Sequence, residues 1–114
     1  VISGLKRNVY VFDEPVDMRK SYDGLHALVR GHDVFSGDLF LFVSKSRKRA
    51  KVLFWDGSGL NIWMKRLEKG RFADIWRRSA LTVTELKLFF EGSKIVSKTL
   101  SPKDLTQNFY PQSP

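Results

Sequence analysis

Short apolar runs alternate with dense polar clusters along this chain, and the spacing of the apolar positions switches between strand-like and helix-like. Asn8 to Phe12 (NVYVF) is β-branched and aromatic and stops at Asp13-Glu14-Pro15, which predicts a short first strand. From Met18 the period changes: Met18, Tyr22, Leu25 and Val29 form one stripe of an amphipathic helix, with Asp17 placed as its N-cap and Gly31 at its end. Gly24 inside that helix lowers its propensity by about 1 kcal/mol relative to Ala, which points to close packing there. Phe35-Ser36-Gly37-Asp38 reads as a turn. Leu39 to Val43 and Val52 to Trp55 then read as neighbouring strands joined by a basic loop, Ser44 to Lys51. Asp56-Gly57-Ser58-Gly59 supplies a tight connection to a half-buried strand, with Leu60, Ile62 and Met64 on one face and Asn61, Trp63 and Lys65 on the other. Glu68-Lys69-Gly70 is a further turn and Phe72 to Trp76 a further short strand. A second helix begins at Thr82, where Thr-x-x-Glu with Glu85 makes a capping box; it carries Leu86, Phe89 and Phe90 and ends at Gly92.

Consecutive strands with short turns, and helices outside them, predict an α+β fold: an antiparallel β-meander of about four to five strands with two helices packed on one face, the other face carrying charge. The length of 114 residues suits one domain, expected over residues 1–100. The polar, proline-containing stretch 101–114 reads as a flexible tail.

Charge sharpens this picture. The formal net charge is +8, and residues 39–78 alone hold eleven Lys and Arg against three acids. A surplus confined to a third of the chain and interleaved with Phe and Trp points to an anionic polymer as partner. With 42% apolar residues and 13% aromatic ones, the cations sit on a folded scaffold rather than a disordered tail. No cysteine is present, which removes disulfides and thiolate chemistry. No apolar run reaches a membrane span and the first residues lack a signal-peptide layout, so the expected location is the cytoplasm.

The loop Lys45-Ser46-Arg47-Lys48-Arg49-Ala50-Lys51 holds five cations in seven residues. Phosphates would match them, with salt-dependent affinity; a solvated hairpin tip that keeps a sheet edge soluble is the other reading. Lys65, Arg66, Lys69 and Arg71 repeat the pattern at the next turn. Trp63, beside Lys65, could stack on an unpaired base or pack at the sheet edge. Arg19 and Lys20 would occupy a first helical turn, where cations are unfavourable unless an anion or a nearby carboxylate such as Asp13, Glu14 or Asp23 compensates. His26 and His32 lack the spacing of a helical metal pair, and Asp17 and Asp23 would point to different faces, which speaks against a two-metal nuclease. No cofactor or metal is expected.

Taken together, PVDMRKSYDGLHALV (Pro15 to Val29), FSGDLFLFVSKSRKRAKVLFWDGSGL (Phe35 to Leu60), KRLEKGRF (Lys65 to Phe72) and LFFEG (Leu88 to Gly92) resemble the TnpB accessory proteins of bacterial transposable elements of the insertion sequence 66 class. Ser21 stands where that family usually has Gly, Val34 where Pro is frequent, and Met64 where Tyr is common. The resemblance implies an accessory role in transposition beside a separate, larger transposase that holds the catalytic carboxylates, with no enzymatic activity of its own. The expected function is thus non-enzymatic: DNA at element ends gripped by the 45–51 loop and the 65–71 turn, with the transposase as protein partner. The alternative is an adaptor whose basic surface docks the transposase or a host factor without touching DNA.

Overall fold

The computed structural model describes residues 7–93; the expected tail, 101–114, lies outside them. Five strands form one sheet: β1 (Val9–Val11), β2 (Leu39–Val43), β3 (Arg49–Trp55), β4 (Leu60–Arg66) and β5 (Ala80–Leu81), in the order β4-β3-β2-β1-β5. Two helices complete the α+β fold, α1 (Tyr22–His26) and α2 (Val83–Phe90).

The meander expected for residues 39–66 is present: β2 pairs antiparallel with β3, and β3 with β4. The other neighbours differ from a simple meander. β1 runs parallel to β2, with Val9 opposite Leu39, because the 12–38 connection returns the chain to the same end of the sheet. β5 pairs antiparallel with β1 and lies outside the predicted elements. The strand expected at Phe72 to Trp76 is instead an irregular segment whose Phe72, Ala73 and Ile75 are buried in the core.

Both faces of the sheet are covered, one helix on each, rather than two helices on one face. Side chains alternate along a strand, so Leu39, Leu41, Val43, Val52 and Phe54 face one side, where they pack with Leu86 and Phe89 of α2 and with Phe72. Phe72 and Phe89 stack at 4.7 Å between ring centroids. Phe40, Phe42 and Leu53 face the other side and bury Leu25 of α1 with Val16 and Val34. Charge is therefore driven to the ends and edges of the sheet.

The first helix is one turn and a half rather than three. Its N-cap is Ser21, in extended conformation, because Asp17 closes a separate turn: its carbonyl accepts from the amide of Lys20 and its carboxylate from the amide of Arg19. After His26 the bonds shorten to Leu28 N to Leu25 O and Val29 N to His26 O. Leu25 is buried and Met18 and Val29 pack against the same cluster, but Tyr22 remains 46% exposed. Gly24 is tight as expected: a Cβ there would stand 3.1 Å from the Lys20 side chain. The second helix matches its prediction, with Thr82 and Glu85 forming the reciprocal capping box.

Candidate functional site

The site grows from a hairpin. β2 and β3 are joined by Ser44 to Lys48, closed by Ser44 N to Arg49 O and Arg47 N to Ser44 O, both 2.9 Å. The Ser44 hydroxyl accepts from the amide of Arg49 and lies 3.3 Å from that of Ser46. Arg47 takes a left-handed conformation, φ 60°, which brings its backbone against the following turn: Phe72 N donates to Arg47 O and Leu67 N to Lys48 O. The two basic turns of the sequence are thus fastened side by side. Their cations reinforce the fastening, since Arg47 Nη1 donates to Phe72 O and Lys48 Nζ to Gly70 O.

Beside this pair of turns lies a groove of about 680 Å³ between the 16–19 segment, the hairpin and the end of β4. Five of the twelve expected site residues line it: Arg19, Lys45, Lys48, Arg49 and Arg66. Two carboxylates accompany them. Asp17 pairs with Arg19 at 2.7 Å, and Glu68 with Arg66 at 3.0 Å. The Arg19 side chain, and then its backbone N–H, lower the Asp17 pKa to about 2; the carboxylate in turn raises that of Arg19. Lys45, Lys48 and Arg49 face the groove with no carboxylate of their own among the described residues. Arg49 also stands directly opposite Arg66 across the β3–β4 ladder, where like charges oppose strand pairing; Glu68 offsets the charge of Arg66 and leaves that of Arg49.

The remaining expected residues lie elsewhere. Lys20, like the groove-lining Arg19, precedes α1 rather than opening its first turn, and Arg19 has Asp17 as its compensating carboxylate. Lys51 belongs to β3, not to the loop, and is buried at 8% exposure. Its ammonium donates to the carbonyl of Lys20 at 2.7 Å, which ties the 17–20 segment to the sheet and so holds one wall of the groove. Trp63 packs edge-on against Phe54 at 4.8 Å, 39% exposed at the open edge of the sheet. Lys65 pairs with Ala50 in register, on the α2 side. Lys69 and Arg71 are exposed in the second turn, outside the groove lining.

The sequence reading gave Ser44 and Ser46 no role of their own and did not set Arg49 against Arg66. The opposition was nevertheless accessible there: the turn at Asp56 to Gly59 fixes the β3–β4 register, and stepping back from it sets Arg49 across from Arg66. Among the described residues no three or more His, Asp or Glu gather as a metal site, and no helix is long and apolar enough to cross a membrane.

Fold and groove define a class: a small α+β protein that collects uncompensated cations at one end of a mixed sheet. More particularly, the chain belongs to the IS66 Orf2 like family, whose model matches residues 7–99. The family takes its name from the IS66 class of insertion-sequence elements. The chain is also similar to the uncharacterized protein y4jC of Sinorhizobium fredii (strain NBRC 101917 / NGR234), 40% identical over 67 residues. That match covers 56% of this chain and 57% of the relative. No solved structure matches.

Proposed function

We propose that this protein is a non-enzymatic accessory factor of transposition that binds the phosphate backbone of DNA through its groove, acting beside a separate transposase. The observation that carries the reading is the gathering of Lys45, Lys48 and Arg49, none with a carboxylate of its own among the described residues, in a groove whose two carboxylates are already paired with Arg19 and Arg66. A phosphate there supplies the anion these three cations lack, through charge-assisted contacts. Such contacts position a nucleic acid without reading its bases, as suits a factor that assembles a complex.

Duplex DNA binding measured across a salt series tests this. Each phosphate contact adds about 0.9 to the slope of log affinity against log salt. A Lys45→Ala/Lys48→Ala/Arg49→Ala variant is therefore expected to bind more weakly and with a slope shallower by about two to three. Absence of salt-dependent binding by the wild type, with retained co-purification of the transposase after nuclease treatment, would replace this reading with the adaptor one.

A further inference from the structure

A second concavity, of about 690 Å³, opens on the β1 side of the sheet, and its chemistry differs from that of the groove. Three rings cluster in its wall. Buried Phe40 and half-buried Tyr10 lie side by side at 5.7 Å and 26°, and His32 lies over Tyr10 at 3.9 Å and 29° and 6.1 Å from Phe40. His32 is exposed, so it forms the outer layer of the cluster, toward solvent. Arg30 and Arg77, both exposed and both without an acidic partner among the described residues, line the same cleft. Asp13 is the one acid in its lining. The indole N–H of Trp76, buried in this wall, finds no acceptor among the described residues.

We propose that this cleft takes an unstacked base of single-stranded DNA, which stacks on the outer side of the His32 ring while Arg30 and Arg77 hold its flanking phosphates. Single-strand binders combine these parts: aromatic platforms for bases and cations that follow the backbone. A purely apolar ligand would leave two arginines unused, and a bare anion would have no use for the stacked rings. The proposal rests on the DNA reading of the groove and extends it. The segment from Asp13 to Asp17 joins cleft to groove along β2, held by Phe12 N to Leu41 O and Val16 N to Val43 O; the four steps between its five residues span at most about 14 Å. One strand can thus lay its backbone in the groove and a base in the cleft, which places the protein where duplex has been opened.

The test compares a labelled thymidine oligonucleotide with an abasic deoxyribose-phosphate strand of equal length, at one salt concentration, using the full chain. The wild type is expected to prefer the base-bearing strand at least about fivefold, the lower end of what one stacked base contributes. His32→Ala should erase the preference and His32→Trp should keep it; His32 is exposed, so neither change opens the core. The triple alanine variant of the groove should weaken both strands alike and leave their ratio intact. Equal binding of the two strands by the wild type, or a preference that survives His32→Ala, would overturn the cleft proposal while leaving the groove reading in place. Loss of both strands would overturn the two together. Thymidine monophosphate binding as tightly as the strand would reassign the cleft to a free nucleotide and overturn it as well.

Discussion

Two charged residues show when a side chain's neighbours in sequence foretell its work and when they mislead. Asp56 was read as a turn residue and is one: its Oδ1 accepts from the amides of Ser58 and Gly59 and from the Ser58 hydroxyl, at 2.9 to 3.1 Å. The Ser58 amide first, then Asn61 and the Gly59 amide, hold its carboxyl far below the usual range. A carboxyl depressed in the folded state gives stability that is complete above the unfolded value near pH 4 and declines as pH falls. Urea midpoints between pH 6 and pH 2 should therefore drop less steeply for Asp56→Asn than for the wild type, and the variant should start lower at pH 6. Lys51 is the opposite case. It follows a basic cluster, so the sequence assigned it to the cluster, whereas strand alternation sets it opposite Phe42 and Met64 and its ammonium on the Lys20 carbonyl. Lys51→Met leaves that carbonyl without its donor and should cost roughly 1–3 kcal/mol in denaturant unfolding. DNA binding is expected to weaken modestly with little change in its salt slope, since Lys51 holds a wall of the groove but does not itself line it.

At the scale of elements, legibility followed the strength of the local signal. The capping box fixed the start of α2, and both of its hydrogen bonds are present. Thr82→Ala is expected to cost about 1 kcal/mol; Phe89→Ala, which removes a fully buried ring stacked on Phe72, should cost about 3–5 kcal/mol, both by urea titration. The meander from Leu39 to Arg66 was equally plain, because its turns are short and their residues specific. α1 was overestimated, since the apolar stripe from Met18 to Val29 is satisfied by a turn, a short helix and two 3₁₀-type bonds in succession. β5 has two residues, too few for any period to register. Phe72 to Trp76 was strand-like in composition, yet three of its residues are buried by α2-side packing rather than by a ladder. Parallel pairing of β1 with β2 depends on how a long connection returns, a matter no local pattern expresses.

Across the whole molecule, the concentration of charge was legible and its division was not. Charge counts drew attention to residues 39–78, whereas folding splits their cations among a groove, two interlocked turns and the α2 side, and recruits Arg19 from far upstream. Asp17 limits the groove's surplus, so Asp17→Asn is expected to strengthen DNA binding and steepen its salt slope, readable by the same titration. The sequence reading weighed His32 only as a metal ligand and passed over Arg30 and Arg77, because Arg77 lies far along the chain from the other two and comes near them only where β5 pairs with β1. The sheet also leaves one long open edge, β4, whose Trp63 and Met64 are exposed; the charges of Lys65 and Arg66 guard only its end.

The mixed sheet carries a consequence in time. β2, β3 and β4 join through neighbours a few residues apart, whereas β1 must find β2 across thirty positions and β5 across some seventy. Loop closure over such spans is slow compared with hairpin formation. In pulse-labelled hydrogen exchange during refolding, the amides of residues 40–65 should gain protection first and those of Val9 to Val11 last. The hairpin that carries Lys45 to Arg49 would then exist before the cleft does, and every refolding molecule would pass through an interval in which it can hold a phosphate but has nowhere to put a base.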